Sequence, residues 1–162
     1  MKQRLLSVVL ATLLSVSMAP AAFAASNPEA AAAIRVIQDG YIGAWNRADA
    51  AAIGANYVAD GDFINPTGFH ARGPKEIQAF YARAFAAGYA GSTATFKPRA
   101  IRTIAPGVVV VDGEWTITGA HKPTGEAIPL EGGIATAVAV KTPAGWRASA
   151  LREQESATKI TP

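Results

Sequence analysis

The chain has 162 residues with no cysteine, 15 Lys and Arg against 12 Asp and Glu, and 2 His, for a formal net charge of +3. Without thiols, disulfide staples, thiolate-held zinc and thiol catalysis are excluded. No basic run is interleaved with aromatics, so nucleic acid is not an expected partner, and two histidines without H-E-x-x-H spacing predict no metal site.

Lys2 and Arg4 precede an apolar run from Leu5 to Val16 and the A-x-A pattern Ala22-Phe23-Ala24. This pattern predicts a signal peptide over 1–24 and an exported protein, periplasmic or extracellular. No later stretch approaches the roughly 20 apolar residues of a spanning helix, so no membrane contact is expected after cleavage. Two cations and no acid lie in the leader, so the mature charge falls to +1. About 138 residues remain, enough for one core.

"NPEAAAAIRVIQDGYIGAWNRAD" (27–49) predicts a first helix, with Asn27 as N-cap, Pro28 in the first turn and Glu29 at the positive end. Ile34, Ile37, Tyr41 and Trp45 share one face. Gly40 weakens this helix by about 1 kcal/mol relative to Ala or marks close packing. "NRAD" breaks it, and "ADAAAIGANYVAD" (48–60) predicts a short second helix with Ile53 and Tyr57 inward.

"GDFINPTG" (61–68) reads as a strand and turn, and "FHARG" as a short return strand. Pro74 opens a third helix, whose Ile77, Phe80, Tyr81 and Phe85 form an apolar stripe. Strand patterns follow over 92–105, 107–120, 132–142 and 145–154, with "HKPTGEAIP" (121–129) as a hairpin loop and 156–162 as a loose tail.

Helices first and long neighbouring strands afterwards predict an α+β fold. Its three N-terminal helices pack in the concave face of a strongly curved, mainly antiparallel sheet, a cone whose interior suits a small apolar ligand. Several residues then have two readings. Tyr41 donates into the cavity or packs with its hydroxyl at the rim. Trp45, Phe63 and Trp115 line the wall or serve as core. Asn65 orients a ligand or caps the turn at Pro66. Asp62 shares a strand face with Ile64 and not with Asn65, which makes it an edge carboxylate or an unusual base. His70 reaches the cavity mouth or stays on the turn, and His121 is exposed. Asp112, Glu114 and Arg152 form cross-strand pairs, or Arg152 binds an anionic ligand. No P-loop, dinucleotide glycine fingerprint or G-x-S-x-G is present, and no redox or metal cofactor is expected.

The segments "AWNRADAAA" (44–52), "ADGDFINPTGFHARGPKEI" (59–77), "YAGSTATFKPRAIRTIAPGVVVVDGEWTITGA" (89–120) and "GWR" (145–147) resemble the SnoaL-like proteins. Within these the resemblance is to the often secreted SgcJ/EcaC-like group of the nuclear transport factor 2-like, cystatin-like superfamily. It implies one domain over 25–155. The fold hosts isomerases, cyclases, dehydratases and non-enzymatic subunits, so it does not assign the chemistry.

Similarity to ketosteroid isomerases implies that Tyr41 matches an oxyanion donor. The Asp that precedes a Pro in that family is here Asn65 before Pro66, an amide that cannot act as a base. A strand Asp of that family maps to Thr136 or Ala137, and a last-strand His common in relatives maps to Arg152. The first expectation is an exported domain binding a small apolar or weakly anionic ligand through Tyr41, Trp45, Phe63, Asn65, Trp115, Thr136 and Arg152. A second is an isomerase, cyclase or hydratase, isomerase- or lyase-like, with a non-standard base such as Asp62 or His70 and Tyr41 as a further catalytic candidate. A third is a non-catalytic subunit, with homodimerisation through the outer face of the sheet.

Overall fold

The computed structural model describes residues 27–156, so the leader expected at 1–24 and nearly all of the tail expected at 156–162 lie outside the described residues. Helix α1 is α-helical over Pro28–Arg35, π-helical over Val36–Ile42 and α-helical again over Gly43–Asn46. Asn27 caps it, its side-chain oxygen accepting from the N–H groups of Glu29 and Ala30 at 3.0 and 3.2 Å. Gly40 marks close packing: a Cβ there would lie 2.2 Å from Asn56 Oδ1. The Asn56 amide donates to the carbonyl of Val36 at 2.9 Å and so fastens the π-helical stretch to the next element.

Ala48 turns the chain with φ +52, and Asp49 caps α2 (Ala50–Ala55), accepting from the Ala52 N–H at 2.9 Å. The second helix is shorter than its pattern predicts. Tyr57 faces inward, but as the first residue of strand β1 (Tyr57–Ile64). Tertiary pairing overrides local propensity here: the Asn56 carbonyl accepts from the Ala148 N–H, and Tyr57 pairs with Ala148 of β6 (Gly145–Glu155).

Strand β2 (His70–Arg72) returns beside β1, and α3 (Gly73–Ala84) continues as a π-helical turn, Phe85–Tyr89. Ile77, Tyr81 and Phe85 of this helix are buried. Strands β3 (Thr93–Ala105), β4 (Val108–Thr118), β5 (Glu131–Thr142) and β6 complete one sheet in the order β2-β1-β6-β5-β4-β3. Only the β1–β6 pair is parallel among them. The sheet is curved and unclosed, as the α+β cone predicts.

Period-two alternation assigns each strand residue to a face. On β4, Val109, Val111 and Trp115 turn to the concave face, and on β6 Leu151 does. The concave positions of β5 are small (Gly133, Ala135, Ala137, Ala139) while Ile134, Thr136, Val138 and Val140 face outward. Short side chains on the inner wall, opposite large aromatics from α1 and α3, leave room between helices and sheet. Among the described residues no helix is long and apolar enough to cross a membrane.

Candidate active site

Trp45 from α1, Phe80, Tyr81, Ala84 and Tyr89 from α3 and its π turn, and Trp115 and Ile117 from β4 enclose a cavity of about 220 Å³. Phe63, Asn65 and Pro66 close it at the β1 end, and Glu131 and Glu153 enter from β5 and β6. The volume lies below the roughly 300–1,000 Å³ of drug-sized sites, so the space suits a small molecule. The rings meet edge to face: Trp45 lies 5.8 Å from Tyr81 at 77° and 5.9 Å from Tyr89 at 80°. Both indole N–H groups are engaged away from the cavity. Trp45 donates to Ser92 Oγ at 2.9 Å and Trp115 to the Ile134 carbonyl at 3.3 Å.

Glu153 lies two residues beyond buried Leu151, on the same concave face. The Tyr41 hydroxyl donates to its Oε1 at 3.0 Å and stands 2.9 Å from the Tyr81 hydroxyl. Burial drives the Glu153 carboxyl toward its neutral form, the Tyr41 hydrogen bond opposes this, and the charge of Glu131 adds to it. The outcome is a carboxyl pushed up to about 7. Burial, then the charge of Glu153, raises Tyr41 well above the usual phenol range, and burial likewise raises Tyr81. Both therefore stay protonated as donors. Across the cavity, the Tyr89 hydroxyl donates to Glu131 Oε1 at 2.6 Å, and burial together with this bond raises the phenol.

Of the residues expected from sequence, Trp45, Phe63, Asn65 and Trp115 line the cavity. Tyr41 stands behind Tyr81 and reaches the cavity through Glu153. Asn65 is at the rim with its oxygen fully occupied by the turn, accepting from Thr67 N–H, Thr67 Oγ1 and Phe69 N–H at 3.1, 2.9 and 2.7 Å.

Thr136 and Arg152 are paired across β5 and β6 and point to the convex face, away from the cavity. Thr136 donates to Asp112 at 2.6 Å. Arg152 Nη2 donates to both oxygens of Asp62 at 2.8 and 2.7 Å, so it meets a carboxylate of its own chain instead of the cavity. His70 Nε2 lies 2.7 Å from Asp62 Oδ2. Asp62 and His70 line a separate polar cleft of about 410 Å³ with Asp60 and Arg72. Partial burial works against the Asp62 charge, but hydrogen bonds and charge from Arg152 and His70 outweigh it and hold this carboxyl below the usual range. Asp112 and Glu114 form cross-strand pairs with Arg102 and Arg99 of β3.

Glu153, Glu131, Tyr81 and Tyr89 were missed as site residues. Strand alternation counted from Leu151 would have turned Glu153 inward and Arg152 outward. Glu131 follows by the same count from Ala135.

The sequence model of one family, the SnoaL-like domain, matches residues 39–140. No curated protein matches the chain. Among solved structures, an uncharacterized protein with a cystatin-like fold from Caulobacter vibrioides superimposes with a TM-score of 0.68 at 23% identity, covering 79% of this chain and 90% of its own. A ketosteroid isomerase-like protein from Erwinia carotovora atroseptica gives 0.67 at 20% identity, with coverage of 84% and 99%. A nuclear transport factor 2-like superfamily protein from Salmonella enterica gives 0.66 at 23% identity, with coverage of 78% and 90%. At these identities the likeness is one of fold.

Proposed function

Because the chain belongs to the SnoaL-like domain family, we propose that its cavity binds a small, largely apolar molecule and that Glu153 exchanges a proton with it. The observation that carries this reading is a cavity-facing carboxyl pushed up to about 7, hydrogen-bonded to Tyr41 and through it to Tyr81. A group with such a value is half ionised near neutral pH, where a general base or acid is most effective. The role that Asn65 cannot fill thus passes to a carboxylate on the last strand. The leader pattern adds export to the periplasm or beyond.

The hydroxyl chain gives the transfer a direction. With Glu153 ionised, Tyr41 donates to it and Tyr81 donates to Tyr41. When Glu153 takes a proton from a carbon next to a carbonyl, the C–H electron pair moves into an enolate. The new carboxylic O–H can then donate to Tyr41, Tyr41 to Tyr81, and Tyr81 to the enolate oxygen. Returning the proton to a different carbon completes an isomerisation and leaves Glu153 ionised. No redox step is involved.

Conversion of a β,γ-unsaturated cyclic ketone to its conjugated isomer, followed by ultraviolet absorbance, tests this reading. The wild type should accelerate the reaction with a rate that rises through about pH 7, and Glu153→Gln should lower it by about 100-fold or more. A Glu153→Gln protein as fast as the wild type, or no catalysis by either together with no thermal shift across a library of small cyclic ketones, would sink it.

A further inference from the structure

The polar groups inside the cavity are unevenly divided between donors and acceptors. Among the described residues that line it there is no Lys, Arg or His, whereas two carboxylates, Glu131 and Glu153, open into it. Most donors are engaged: Tyr89 is bonded to Glu131, Tyr81 to Tyr41, Tyr41 to Glu153, and both indoles to Ser92 and Ile134 outside the cavity, while the Asn65 amide N–H group stays at the rim. Glu131 Oε1 has the Tyr89 hydroxyl, and its other oxygen has no partner among the described residues. The same cavity wall presents the rings of Trp45, Tyr89 and Trp115, with Trp45 and Tyr89 at 5.9 Å.

From this accounting we propose that Glu131, with the rings of Trp45, Tyr89 and Trp115, is a subsite for the ammonium group of a small amine. The inference rests on the cavity being a small-molecule site and adds the class of molecule. An ammonium supplies a donor for the open Glu131 oxygen, and aromatic faces attract it electrostatically. It also places positive charge near two carboxylates that otherwise repel each other. A carboxylate-bearing ligand would add a third negative charge with no cation to meet it. The guanidinium of Arg152 is on the far face of the sheet and held by Asp62. The weakly anionic ligand anticipated from Arg152 is therefore replaced by a cationic one. Glu153 remains the proton-exchanging group, so holding the substrate and reacting with it fall to different carboxylates.

Titration calorimetry of the full-length protein with benzylammonium, benzyl alcohol and benzoate separates the outcomes, because the three share one ring and differ in charge. Benzylammonium should bind about tenfold more tightly than benzyl alcohol, and benzoate more weakly than both. Glu131→Gln should remove the gap between ammonium and alcohol. Equal or tighter binding of the alcohol or of benzoate would overturn the ammonium subsite and leave the cavity reading standing, as would a gap that survives Glu131→Gln. Failure of all three to bind the folded protein would overturn both. Nuclear magnetic resonance of the unsubstituted protein gives a readout that needs no variant. Benzylammonium should shift the indole N–H signals of Trp45 and Trp115 but not that of Trp146, and a shift confined to Trp146 would contradict the assignment.

Discussion

Above pH 7 the Glu153 carboxyl is ionised in a setting that burial and the Glu131 charge both disfavour. The native state therefore binds a proton more tightly at this group than the unfolded chain does. Between the two values, about 4.5 and about 7, the folded protein holds more protons, so stability falls as pH rises across that window. The integrated effect is about 3 kcal/mol. Thermal melts should show this decline in the wild type, while Glu153→Gln should be flat over the same range and more stable than the wild type at pH 8. Asp62 has the opposite sign. Its folded value is lowered, so its contribution is complete above the ordinary carboxylate range and is lost as pH falls through the folded value. Asp62→Asn should cost about 2 kcal/mol at neutral pH by weakening the contacts to Arg152 and His70, and should shrink the acid-side loss of stability in urea titrations below about pH 4.

At the scale of elements, α3 and its π turn supply Phe80, Tyr81, Ala84 and Tyr89 to the cavity's wall, and two positions in this stretch separate shape from stability. Gly88 has φ +128, and a Cβ there would fall 1.9 Å from the His121 carbonyl oxygen, while the His121 N–H donates to the Gly88 carbonyl at 3.0 Å. Gly88→Ala should therefore cost about 2 kcal/mol or more in denaturant unfolding, from left-handed strain and from prising the 121–130 loop off the helix end. Ala84 lines open space instead. Ala84→Leu should change stability by about 1 kcal/mol or less, yet abolish benzyl alcohol binding by filling the cavity. Most elements were legible in the chain because their signals are local: the Asn27 cap with Pro28, the Pro74 start, and alternation over four long strands. The end of α2 was not legible. What ends it is the pairing of Tyr57 and Asn56 with Ala148, some 90 residues away, and no local propensity encodes that.

At the scale of the molecule, the curved sheet and its helices followed from the order of patterns and from the resemblance to the SnoaL-like family. The site followed only in part. Trp45, Phe63 and Trp115 were placed by aromatic patterns on helix and strand that mark the inner side, and Asn65 by its position before Pro66. The acids were harder to place, since Glu131 and Glu153 sit near strand ends among other polar residues, where charge alone reads as solvent. Inference by homology also pointed to Thr136 and Arg152, which strand alternation turns outward. Taken together, the cone puts one titrating carboxyl, two linked phenols and an aromatic wall around a single small space. The most direct measurement of this account is a pH titration of glutamate side-chain carboxyl carbons by ¹³C magnetic resonance, with Glu153→Gln for assignment. One signal with a midpoint at about 7 that disappears in the variant is the predicted result. A Glu153 signal titrating in the ordinary carboxylate range, below about 5, would contradict it.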